Sequence, residues 1–291
     1  MKIKITSGEN YAVLGLDGAM LNSLNKNNTE YLWQGDAKYW AGQAPVCFPI
    51  TGVLPNGEME AFGKKCKMKR HGVARLNPFE VLEQHKNSVT FVQRSDENTK
   101  RDFPFDYELK IKYTINGDTV TNEYIVTNTG EDKLPFVIGG HPAFNCPLTK
   151  NEKFEDYKVV FDKKITKPCL RPNHHTGLVN VFEKFDEMHG GDTLSLVHEL
   201  FEEKDALIFE NCEAKSATLI GKSGKGVKIE FQDMNNLLIW SAVGNAPFVA
   251  LEPWTGLASC NDEDGLFEHK RGMTVLEKDE TASFKFKITM I

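Results

Sequence analysis

The chain has 291 residues, 40% hydrophobic, 10% aromatic and 26% charged, a composition that supports a large core and excludes intrinsic disorder. A formal net charge of −6 argues against a nucleic-acid partner, which favours a basic surface, and leaves small neutral or weakly charged ligands as the better fit. No run of about 18 apolar residues occurs, so no membrane-spanning helix is expected.

Met1 to Ile5 alternates charged and apolar residues with no apolar run behind it, so a signal peptide is not expected. The six cysteines (Cys47, Cys66, Cys146, Cys169, Cys212 and Cys260) are scattered without a CxxC pair, which reads as reduced thiols in a cytoplasmic protein. Residues 79–85 carry a weak helical pattern, and 88–93 read as a strand. From Phe105 to Ile115 apolar and polar residues alternate strictly, the signature of a long half-buried strand. Asn116-Gly117-Asp118 then turns it into a second strand over 119–126.

Further strands are expected at 157–161, 237–242 and 248–252, and Gly221 to Gly226 reads as a hairpin turn between two more. The best helical candidate is 193–203. The chain closes on an alternating strand, 281–291, with Phe284, Phe286, Ile288 and Met290 inward. Strands do not alternate with long helices, which disfavours a doubly wound α/β fold. The expected fold class is all-β: one large antiparallel β-sandwich over residues 1–291, with few short helices and no linker. Such a scaffold leaves a broad, concave sheet face able to hold a sugar, although the scaffold alone does not establish a function.

The strongest chemical signal is Gly139-Gly140-His141-Pro142-Ala143-Phe144-Asn145 together with Leu251-Glu252-Pro253-Trp254. An imidazole titrates near neutrality, and a carboxylate beside apolar strand residues is desolvated and made more basic once ionised. Together they can add a proton at one atom while removing one from another. Each has a plainer reading: a hydrogen-bonded histidine at a strand end, or an edge-strand glutamate paired with a lysine.

His71-Gly72-Val73-Ala74-Arg75 adds a second histidine and a guanidinium fork suited to sugar hydroxyls or a phosphate. Lys64, Lys65, Lys67, Lys69 and Arg70 precede it, either a solvated face or an attractor for a phosphorylated substrate. Other motifs fail. Gly221-Lys222-Ser223 lacks the earlier glycine of a phosphate-binding loop, His174-His175 lacks zinc-ligand spacing, and 262–265 lacks the spacing of a calcium loop.

In this order, His71-Gly72-Val73-Ala74-Arg75, Gly140-His141-Pro142-Ala143-Phe144-Asn145 and Glu252-Pro253-Trp254 resemble the aldose 1-epimerase (mutarotase) family. Trp40 with Ala44-Pro45-Val46-Cys47-Phe48-Pro49-Ile50-Thr51-Gly52 is similar to the N-terminal signature of its LacX-like branch. The resemblance implies a galactose-mutarotase-type sandwich with no metal and no organic cofactor, acting on an aldohexose, phosphorylated or not, as a monomer or homodimer. It further implies Glu252 as the base at the anomeric hydroxyl and His141 as the acid at the ring oxygen. His71 and Arg75 would hold the sugar, Asp205 would be a further hydroxyl ligand, and Gln43 and Trp254 would lie beside it. Gln43 and the preceding Ala41 and Gly42 stand where many members carry a basic residue, and Ala143 replaces the usual aromatic. The alternatives kept open are a non-catalytic sugar-binding module and a glycoside hydrolase, which normally needs two carboxylates.

Overall fold

The computed structural model describes residues 1–202 and 205–291. Alternation becomes architecture most directly in the long hairpin Tyr107–Asn116 and Thr119–Asn128, whose antiparallel register runs from Asn116 opposite Thr119 to Tyr107 opposite Asn128. Every second residue of Tyr107–Asn116 up to Ile115 is buried. This hairpin is central in a nine-stranded antiparallel sheet. In spatial order its strands are Thr193–Ser195, Lys158–Phe161, Ser216–Ile220, Gly226–Glu230, Thr281–Met290, Thr119–Asn128, Tyr107–Asn116, Ser88–Arg94 and Glu80–Gln84.

A six-stranded sheet packs against it. Its path is Leu207–Phe209, Asn236–Trp240, Phe248–Trp254, Gly139–Gly140 and Val46–Cys47, with Ala143–Asn145 also pairing Phe248–Trp254. Leu237, Ile239, Val249 and Leu251 belong to the same core as Leu109, Ile111, Ile229 and Ile288. Edge-to-face ring pairs bridge the two sheets: Phe161 with Phe209 at 5.1 Å and Phe48 with Tyr107 at 4.9 Å. A four-stranded sheet from Lys2–Ser7 to Thr29–Glu30 and two short ribbons complete the strands. All six cysteines are free and buried, and among the described residues no helix is long and apolar enough to cross a membrane.

Both expected helices are corrected. Residues 80–84 form the exposed edge strand of the nine-stranded sheet, hydrogen-bonded to Ser88–Arg94 across a short turn. In 193–203, Thr193–Ser195 is instead the opposite edge strand, with Leu194 buried against Lys158–Phe161, and only Glu199–Glu202 is helical. Residue 203 lies outside the described residues. Sheet edges recruited both segments, and backbone pairing there outweighed local propensity. The helix Glu97–Asp102 was not anticipated; a capping box between Asp96 and Thr99 starts it.

Candidate active site

The backbone places His141 and Glu252 face to face. Gly139 pairs with Trp254, and Ala143 pairs with Ala250, so the continuous register sets His141 opposite Glu252 where the ladder is interrupted. On the other side, Glu252 pairs with Leu238, which pairs with Ile208. Ile208, Leu238, Glu252 and His141 therefore form one row across the outer face of the six-stranded sheet. This row floors a cleft of about 440 Å³.

The two glycines are sterically required. A Cβ on Gly139 would stand 2.2 Å from Trp254 Cδ1, and one on Gly140 would stand 2.7 Å from Phe286 Cζ. The Trp254 ring thus packs closely against the backbone of the His141 segment, its indole N–H donating to the Gly140 carbonyl at 3.2 Å.

His141 Nε2 is 3.2 Å from Glu252 Oε2, and the Glu252 side chain is only 2% exposed. His141 Nδ1 and Glu252 Oε2 are nevertheless buried without a hydrogen-bond partner in the protein. Native interiors rarely leave such groups unpaired, so these atoms are available to a ligand. The imidazole stacks on Trp40 (4.8 Å, 26° between planes) and meets the edge of Trp240 (5.4 Å, 86°). This apolar enclosure lowers the His141 pKa to about 3, with Arg70 and Arg75 pushing the same way. Burial, reinforced by the charge of Asp205, raises Glu252 well above the usual carboxylate range. Burial opposes charge on both partners and pushes each towards its neutral form.

His71 approaches the pair edge-on, 5.3 Å from the His141 ring. Its backbone is left-handed (φ 65°), a conformation that costs energy in any residue with a Cβ. Its Nδ1 accepts the Gly52 N–H at 3.1 Å, which assigns the ring proton to Nε2. Burial, and then the charge of His141, pushes the His71 pKa well down, so the ring is a neutral donor.

Arg75, half-buried, also lines the cleft and donates from Nε to the Arg70 carbonyl at 3.1 Å. Asp205 also lines the cleft, its carboxylate accepting the Ala206 N–H at 2.9 Å. Burial raises its pKa.

The sequence profile of the aldose 1-epimerase family matches residues 1–289. The chain belongs to the aldose 1-epimerase family. It is 36% identical over 285 residues to the plasmid-encoded Protein LacX of Lactococcus lactis subsp. lactis, covering 95% of this chain and 94% of that one. Among solved structures, it is similar to a galactose mutarotase related enzyme from Lactobacillus acidophilus (TM-score 0.93, 28% identity, 100% of this chain and 97% of that one). A galactose mutarotase-like protein from Lactobacillus casei is similar throughout both chains (TM-score 0.90, 29% identity).

In this aldose 1-epimerase family chain the cleft gathers His71, Arg75, His141, Asp205, Glu252 and Trp254. Gln43 lies outside this lining. Its amide donates to the carbonyls of Asn22 and Trp33, both at 2.9 Å, and its oxygen accepts from Asn22 Nδ2 at 2.8 Å. It braces the loop carrying Trp40 and does not line the cleft. Sequence reasoning did not assign Tyr39, Trp40, Arg70, His174 or Trp240 to the site, all of which line it. Trp240 could have been found: two residues before Ala242 on a predicted strand, it shares a face with Leu238.

Proposed function

We propose that the protein interconverts the α and β anomers of an aldose by opening and reclosing the sugar ring. The observation that carries this reading is the cross-strand pairing of His141 and Glu252 on the cleft floor, with His141 Nε2 3.2 Å from Glu252 Oε2 and His141 Nδ1 left without a protein partner. The anomeric carbon bears two oxygens, its hydroxyl and the ring oxygen, and an acid and a base this close can each address one of them.

In the productive protonation state His141 carries the proton and Glu252 is ionised. Glu252 takes the proton of the anomeric hydroxyl, the C1–O5 bond breaks, and His141 gives its proton to O5. The open-chain aldehyde rotates about C1–C2. Reclosure on the other face runs both transfers backwards: O5 returns its proton to His141, and Glu252 protonates the new anomeric oxygen. The pair ends with the one proton it started with. His71 Nε2–H, Arg75 and Asp205 hold ring hydroxyls, while Trp40 and Trp240 exclude water and fix the imidazole.

Polarimetry of freshly dissolved α-glucose and α-galactose tests the reading; the expected result is accelerated relaxation to the equilibrium rotation. Glu252→Gln and His141→Asn should each lower kcat by about 10² to 10⁴, the usual share of general acid–base catalysis, with sugar binding far less affected. Saturable binding with no acceleration for any aldose would instead mark a sugar-binding module, and release of the aryl group from an aryl glycoside would mark a hydrolase.

A further inference from the structure

The basic run before His71 divides in the structure. Lys64 pairs with Asp132, and Lys65 pairs with Glu58, on the ribbon Glu58–Ala61 and Lys64–Lys67. Lys67, Lys69 and Arg70 make no ion pair among the described residues. All three line a second cavity of about 620 Å³, in which Asp102 is the acidic residue. Arg70, itself exposed, also lines the first cleft, so it is common to both cavities. That position is built. Gly177 has left-handed backbone (φ 72°), and a Cβ there would stand 2.7 Å from Arg70 Nη2, so the bare glycine leaves room for the guanidinium at the cleft wall.

Resting on the anomer-interconverting reading of the cleft, we propose that its substrate carries an anionic substituent, held where Arg70 joins the Lys67 and Lys69 cavity. A planar fork with two lysines beside it suits a phosphate ester or a sugar carboxylate, and the three cations of this cavity outnumber its one described acidic residue, Asp102. The anion is remote from the anomeric carbon. At C1 it would meet the Glu252 carboxylate, and a group esterified there would remove the hydroxyl that the reaction needs. The substrate class is therefore an aldose with a free anomeric hydroxyl and an anion at the far end, such as a hexose 6-phosphate or a hexuronate.

Calorimetry with ring-locked analogues separates this inference from the catalytic reading, because 1,5-anhydrohexitols bind without reacting. The neutral analogue, its 6-phosphate and its 6-carboxylate are compared in the gluco and galacto series. The expected result is about tenfold to a hundredfold tighter binding of an anionic analogue, the range for a charge-assisted hydrogen bond, and the stronger of the two anions identifies its source. The preference should collapse in Arg70→Gln, recover partly in Arg70→Lys, shrink in the exposed Lys67→Gln/Lys69→Gln pair, and weaken with added salt. A neutral analogue binding as tightly as both anions, or a preference that survives these substitutions, would overturn the inference. Anionic preference without mutarotation of any aldose would leave it standing and overturn the catalytic reading.

Discussion

His71 shows how one residue can carry strain, a fixed tautomer and a pH signature together. Asparagine tolerates the left-handed backbone, and its side-chain oxygen can replace Nδ1 as acceptor of the Gly52 N–H. His71→Asn should therefore fold while losing the Nε2–H donor, raising KM more than it lowers kcat. The same variant tests the buried imidazole. Unfolded, the ring titrates near 6.5; folded, its pKa is well below that. Below pH 6.5 the unfolded chain thus binds a proton that the folded chain refuses, and stability falls as pH falls. His141 acts in the same direction down to about pH 3, whereas Glu252, raised above 4.5, acts in the opposite one. Removing His71 should reduce the acid-side slope of unfolding free energy by about 1.4 kcal/mol per pH unit, the value of one proton. Urea unfolding at about pH 5 and about pH 6 measures this, and an unchanged slope would contradict the assignment.

His141, Glu252 and the segment from His71 to Arg75 were legible because glycine and proline punctuate them in the sequence. Arg70 and Trp40 were visible only as members of a charge run and a short signature. Their place in the cleft depends on loops folding over a sheet, which local pattern does not encode.

At the level of elements, alternation predicted the long hairpin and the last strand almost to the residue, since each buries one face on a single core. It failed at 80–84 and 193–195. A glutamate-rich edge strand exposed along its whole length has no buried face to impose a period of two. The short strand Gly139–Gly140 was illegible for a related reason, because its side chains are hydrogens. Its fit is steric, and that makes it testable. In Gly139→Ala the new methyl would overlap Trp254, so the indole must leave its seat against the Gly140 carbonyl. Overpacking of this kind costs about 1–3 kcal/mol. The variant should unfold at lower urea and bind sugar more weakly, because the displaced ring is part of the cleft wall. Wild-type stability together with wild-type KM would show that the seat is not constrained.

The whole molecule is held by a strand that arrives last. Thr281–Met290 lies between Thr119–Asn128 and Gly226–Glu230, paired with the first from Thr119 opposite Thr289 to Thr127 opposite Thr281. The strands on its two sides hydrogen-bond to it and not to each other, so without it the nine-stranded sheet is two fragments with open edges. The spatial order of strands could not be read from the sequence, because it is set by contacts between residues far apart in the chain. The candidate site depends on the same strand: Phe286 packs directly beneath Gly140, beside Tyr124, under the segment that presents His141. A chain ending at Glu280 should therefore lack both a cooperative urea transition and sugar binding, whereas removing Ile291 alone, which follows the last strand, should preserve both. A synthetic peptide of residues 281–291 added to the shortened chain should restore near-ultraviolet circular dichroism and binding in parallel, since one strand closes the sheet and supports the cleft floor. Recovery of the sheet without recovery of binding would show that the site is held by the six-stranded sheet on its own.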